Sequence, residues 1–273
     1  MRVVLLSDHP GDLLQLARIR DSKQQQRTMA QYESALQRHK AEVRKADATR
    51  DQARGRHRWL AWLRDALAVR RARRRAPAPA ELVTAPSDEQ GRLAAGVAGE
   101  RQVAEDLGRA FGDDWVLMRG YQNRRGEIDH LLLGPAGLVA IEVKNINGTV
   151  HCEDDKWRVD KYDRYGNLVE QYDLVDKGKR QRSPSVQLNE PADLLEDFLH
   201  SRGEDVDVLR VVLLSHPKSR VGVCRRATVH IFTRTSDVTR LLGKVPQPLS
   251  TARLTRIGEL ITGDHQHHAR HRR

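Results

Sequence analysis

The sequence predicts a mixed α/β domain of element order αβββαβ standing behind a long basic helix. Three observations carry that prediction. Residues 12 to about 75 hold one glycine, Gly55, and no proline. The run Ala76-Pro-Ala-Pro-Ala80 then closes this helical stretch. Beyond Gly91, apolar spacing of helical period alternates with short apolar runs bounded by turn residues.

Within residues 1–75, Gln, Arg, Ala, Lys and Glu dominate, and Met29, Leu36 and Val43 recur every seven residues with Tyr32, His39 and Ala46 three later. Such a partial heptad predicts a long helix more firmly than a coiled coil. A helical hairpin and a homodimerising arm both fit it. Nine arginines and a single acid lie between Arg54 and Arg75, around Trp59, Leu60, Trp62 and Leu63. Residues 76–90 read as a stiff linker, 91–245 as the α/β domain and 246–273 as a disordered basic, histidine-rich tail.

The net charge of +11 is unevenly spread. Residues 1–90 hold 19 Lys and Arg against 11 Asp and Glu, whereas residues 91–263 hold 26 against 25. A basic arm beside a nearly neutral domain suits a polyanion, DNA or RNA, through phosphate neutralisation. An anionic membrane surface suits it as well. Arg54, Arg56, Arg58, Arg70, Arg71, Arg73, Arg74 and Arg75 are the arm's expected phosphate contacts. An interfacial helix inserting the tryptophans and leucines, or a partner-binding coiled coil, are the other readings of the same residues.

Two cysteines, Cys152 and Cys224, without a Cys-x-x-Cys pair exclude a disulfide framework and a zinc ribbon. The expected compartment is a reducing cytoplasm. Val3–Leu6 is too short for a signal peptide, and no run of 18 apolar residues predicts a membrane span.

In the domain, Leu93, Val97, Glu100, Ala104, Leu107 and Phe111 keep helical spacing, which sets Glu100 on an apolar stripe. A carboxylate there is costly to bury unless it is paired or metal-bound. Trp115–Arg119 reads as a strand. Two apolar runs around Gly134-Pro-Ala-Gly137 then read as a hairpin over 127–144. If Leu133 and Leu138 close its loop, paired positions sum to 271, and Asp129 faces Glu142 with Lys144 further along the same face. Like charges so placed are destabilising, and a divalent cation would relieve them. Residues 148–180 read as further hairpin and loop. A helix from Pro184 to His200 follows, with Ser183 as cap and Pro184 at its first position. Pro191 is expected to kink it. Strands over Val206–Ser215 and Thr228–Phe232 and a helix over Thr235–Leu242 complete the order. Arg2-Val-Val-Leu-Leu-Ser7 recurs as Arg210-Val-Val-Leu-Leu-Ser215, a match to which no function attaches.

Gly99-Glu100, Gly126-Glu-Ile-Asp-His130, Gly137-Leu-Val-Ala-Ile-Glu-Val-Lys-Asn145 with Gly148, Trp157 and Pro184-Ser-Val-Gln187 appear in that order. This set resembles the NERD (nuclease-related domain) family of the PD-(D/E)XK nuclease superfamily, over roughly Gly91 to Ser215. The resemblance implies a restriction-endonuclease-like αβββαβ core and metal-dependent hydrolysis of DNA. It implies that Asp129 and Glu142, helped by the Val143 carbonyl, coordinate Mg²⁺ or Mn²⁺. Glu100 would complete the shell or bind a second ion, Lys144 would orient or help deprotonate the attacking water, and Gln187 would position the lysine or the substrate. Arg124 and Arg125, just before the hairpin, would hold a phosphate. A module that binds nucleic acid or a membrane surface without cutting is the competing class.

Overall fold

The computed structural model describes residues 1–55, 59–79, 87–176, 180–243 and 248–270. Arg56, Arg58, His271 and linker residues 80–86 lie outside these. The chain divides into two compact units, one of Met1–Leu13 with Arg92–Arg273 and one of Leu14–Gly91. Its elements in order are β1 (Arg2–Leu5), α1 (His9–Gly55), α2 (Trp59–Arg73), α3 (Asp88–Ala110), β2 (Val116–Gln122), β3 (Glu127–Gly134), β4 (Gly137–Lys144), β5 (Thr149–Glu153), β6 (Lys156–Tyr162), β7 (Leu168–Asp173), α4 (Pro184–Ser201), β8 (Val208–Leu214), β9 (Arg220–Arg225), β10 (His230–Phe232), α5 (Thr235–Leu242) and α6 (Thr251–Arg270).

The Leu14–Gly91 unit is helical. Arg73 of α2 reaches Asp47 of α1 at 3.2 Å, so α2 turns back beside α1. Near the other end of the unit, Arg20 pairs with Glu89, and Ser87 Oγ donates to Asp21 at 2.7 Å. Of the two arrangements that fit this stretch, α1 and α2 show the helical hairpin.

The other unit is built on a six-stranded mixed sheet, ordered β1-β2-β3-β4-β8-β10. Only β3 runs against the rest. Leu133 pairs with Leu138 as the register rule requires, and the ladder closes one step further at Gly134 and Gly137. The hairpin therefore reverses over Pro135-Ala136 alone. Both faces of its strands are covered, which is why β3, β4 and β8 are nearly continuous apolar runs. On one face Leu131, Leu133, Leu138, Ala140, Val212 and Leu214 pack with Leu188, Leu195 and Leu199 of α4 and Ile257 and Ile261 of α6. On the other, Leu117, Leu132, Val139 and Ile141 meet Val103 and Leu107 of α3 and Val238 of α5. A second sheet, ordered β7-β6-β5-β9, follows β4 and adds Val150, Trp157 and Val159 to the first of these cores.

Two expectations need correction. Residues 1–75 are not wholly an arm, because Arg2–Leu5 pair in parallel with Val116–Arg119 and extend the main sheet. The recurring Arg-Val-Val-Leu-Leu-Ser segments are thus two strands of one sheet. Residues 251–270 are no disordered tail: they form α6, whose Ile257 and Ile261 are fully buried. Even the tail histidines take part, since buried His265 accepts the Gln122 N–H on Nδ1 at 3.1 Å. Helix α4 runs from Pro184 to Ser201 with Pro191 inside it. The proline ring packs near Gly126, and its carbonyl accepts Asn123 Nδ2–H at 2.9 Å.

Candidate active site

At the end of the main sheet β3 and β4 part. Their ladder stops at His130 and Ile141, one step short of the expected Asp129–Glu142 pair. Where the next backbone bond would form, the Asp129 side chain intervenes, and its Oδ2 accepts the Val143 N–H at 2.7 Å. The opening costs no backbone hydrogen bond at that point and turns one carboxylate toward the other. Strand β4 stays aligned through β8, with Glu142 opposite Val212 and Lys144 opposite Leu214.

Lys144 Nζ donates to Glu142 Oε1 at 2.6 Å and to Gln187 Oε1 at 2.8 Å. Gln187 sits in the first turn of α4, started by Pro184 and the Ser183 cap, and its Nε2 donates to the Arg182 carbonyl at 2.8 Å. Trp157 Nε1 donates to Ser185 Oγ at 3.0 Å, and Ser185 donates to Asp155 at 2.6 Å, which ties that helix start to the second sheet. Glu100 enters from α3. The preceding residue, Gly99, packs closely against the end of β8, where a Cβ would lie 2.5 Å from Ser215 Oγ. Asn145 Nδ2 donates to the Ala95 carbonyl at 2.7 Å and holds α3 to the end of β4. Buried His130 faces the Glu100 carbonyl with Nε2 at 3.2 Å.

The electrostatics follow from crowding. Burial, then the charges of Asp129, Glu142 and Glu127, pushes the Glu100 carboxyl up to about 9, against the pull of Arg119. Burial and Asp129 push Glu142 up to about 7 in spite of Lys144. Burial raises Asp129 too, against Lys144 and the Val143 N–H. Burial would lower Lys144, yet the charges of Glu142 and Asp129 outweigh it and hold the ammonium above its usual range. Three acids thus gather around one lysine, and the cluster is short of positive charge. Hard carboxylate oxygens in that state fit Mg²⁺ or Mn²⁺ far better than a thiolate-seeking metal.

Residues 95–215 match the family model of NERD, the nuclease-related domain. This part of the chain carries the signature of the NERD family. Its class is that of the PD-(D/E)XK-like nucleases. The match runs from within α3 to the residue after β8 and contains Glu100, Asp129, Glu142, Lys144 and Gln187. Searches of curated proteins and of solved structures returned no match.

Around this cluster the NERD domain uses residues that sequence reasoning passed over. Arg182 donates to the Arg125 carbonyl and to Glu190 and also pairs with Asp176, so it joins the β2–β3 turn to α4. Arg124 and Arg125 are exposed on that turn, at the end of the sheet where the carboxylates gather. The one signal for Arg182 was its place beside the helix cap. His130 was readable as part of the hairpin but not as a neighbour of α3. Of the aromatics in β6 and the following turn, Trp157 is core, whereas Tyr162 and Tyr165 are exposed. A second group with metal-ligand atoms close together, Glu196, His200 and Asp207, also escaped notice. Its Glu196 already accepts the Val208 N–H at 3.2 Å and Arg210 at 3.0 Å, so its charge is spent on folding.

Proposed function

We propose that this NERD domain is a metal-dependent nuclease that hydrolyses phosphodiester bonds in DNA, on a restriction-endonuclease-like αβββαβ core interrupted by β5–β7. The observation that carries the reading is the cluster of Glu100, Asp129 and Glu142 around Lys144, at the point where β3 and β4 part. An ordinary sheet has no use for mutually repelling carboxylates drawn out of solvent, Glu142 buried and Glu100 and Asp129 half-buried.

Asp129 and Glu142, with the Val143 carbonyl and Glu100, would hold Mg²⁺ or Mn²⁺. Bound there, the ion supplies charge neutralisation and polarisation of a phosphoryl oxygen. Lys144 would orient or help deprotonate the attacking water, and without metal its carboxylate neighbours hold the ammonium above its usual range. Two of its three N–H groups are engaged by Glu142 and Gln187. The third can orient the attacking water or meet charge developing on the phosphorane. Gln187, braced by the Arg182 carbonyl, fixes where that ammonium points. Arg124 and Arg125 would steer the flanking phosphates into place.

The test incubates the full chain with single-stranded DNA, duplex DNA and RNA, in EDTA, Mg²⁺ or Mn²⁺, beside Glu142→Ala and Lys144→Ala. Metal-dependent DNA cleavage that falls by about a hundredfold or more in both variants is the expected outcome. Cleavage that survives both substitutions overturns the site. Nucleic-acid binding without cleavage in any metal overturns the activity and leaves a binding module.

A further inference from the structure

Helix α2 carries its apolar side chains on the outside. Trp59, Leu60, Leu63 and Leu67 are 66, 67, 47 and 63% exposed, and their spacing places them on one helical face. Asp65 and Val69 are the buried residues of the same helix. An acid is thus turned inward while tryptophan and leucine meet solvent, the reverse of what a solvated helix arranges. Contiguous apolar patches of this kind mark interaction surfaces. The patch gives way at the C-terminal end to Arg70, Arg71 and Arg73, with Arg74 and Arg75 directly behind and Arg64 at its side.

We propose that α2 is a docking face for an anionic lipid surface, on which the helix lies flat. The combination selects this occupant. A nucleic acid would use the arginines but would leave the leucine row facing water. A second copy of the chain would cover the leucines but would bring an equal cluster of arginines against the first, in a region already carrying 19 basic against 11 acidic residues. A headgroup layer meets both demands, taking Trp59 and the leucines at the acyl boundary and the guanidinium groups at its phosphates. Fifteen residues of helix extend only about 22 Å, too short to span the bilayer core. Among the described residues no helix is long and apolar enough to cross a membrane. The helix therefore lies on the surface.

The full chain is tested by co-sedimentation with phosphatidylglycerol vesicles and with phosphatidylcholine vesicles, and by tryptophan emission. Trp115 and Trp157 are buried, so a blue shift on the anionic vesicles reports α2. Partitioning onto anionic vesicles is expected to fall roughly tenfold or more in Trp59→Ser/Leu63→Ser/Leu67→Ser. It is expected to weaken also in Arg70→Gln/Arg71→Gln/Arg74→Gln, with duplex DNA binding by the serine variant unchanged. The substituted side chains are exposed, so a circular dichroism spectrum and melting curve like the parent's are expected for both variants. Equal binding to neutral vesicles overturns the proposal, as does undiminished anionic binding by the serine variant. Loss of DNA binding in the serine variant without vesicle binding by the parent assigns the face to nucleic acid. A concentration-dependent dimer abolished by the serine substitutions, again without vesicle binding, assigns it to a second copy.

Discussion

Glu142 is held between a partner and a competitor, with Lys144 lowering its affinity for a proton while burial and Asp129 raise it more. Glu100 and Asp129 are raised as well. Carboxyls whose folded pKa exceeds the unfolded value bind more protons in the native state. Their contribution to stability is complete below the unfolded value and is lost as pH rises through the folded one. In EDTA, the melting temperature is therefore expected to decline as pH climbs from about 4.5 toward about 9. Mg²⁺ should restore more stability at the high end of this window than at the low end, since it competes with protons for the same oxygens. Glu142→Gln should flatten both trends. Thermal unfolding across pH, with and without metal, checks this, and a metal shift independent of pH would contradict it. That the Asp129 and Glu142 carboxylates come near one another was readable because strand side chains alternate and the hairpin turn sets the register. The parting of the strands was not readable, because it depends on a side chain replacing a backbone partner.

Strand β1 docks through a backbone contact that only glycine permits. Gly120 has φ of +71°, and a Cβ there would lie 2.2 Å from the Ser7 carbonyl oxygen. Ser7 Oγ donates to the Gly120 carbonyl at 2.7 Å, locking the same crossing. Gly120→Ala is expected to cost about 2 kcal/mol or more, from left-handed backbone strain and from the clash together. Urea unfolding measures the loss, and hydrogen exchange should show β1 released ahead of β2 and β3. An unchanged midpoint with β1 still protected would refute the account. At this scale helix α4 was legible from its cap and its first-turn proline, because those signals are local. What Pro191 packs against was not, since Asn123 and Gly126 lie more than sixty residues earlier.

The folded unit is larger than the segment that carries the family signature. It begins with β1, ends with α6 and omits Leu14–Gly91. A fragment of residues 91–245 would lose β1, which exposes the edge of β2, and would uncover the surface that Ile257 and Ile261 seal. Burying two such side chains contributes about 3 to 6 kcal/mol, a large share of a domain's net stability. The fragment is expected to lack a cooperative melt and to show weak near-ultraviolet circular dichroism, while the full chain shows both. A fragment that melts cooperatively within a few degrees of the parent would sink this view.

What the sequence determined by itself is local or periodic: the hairpin and its register, the capped helix that carries Gln187, the stripe that carries Glu100, and the arginine run beyond the tryptophans. Each follows from turn chemistry, side-chain alternation or helical spacing within a few residues. Tertiary structure alone decided that residues 2–5 join a sheet more than a hundred residues away, and that a histidine-rich end becomes a core helix. It also decided that α2 turns its leucines outward. These depend on which surfaces meet, and burial is a property of the pair of surfaces rather than of either sequence segment.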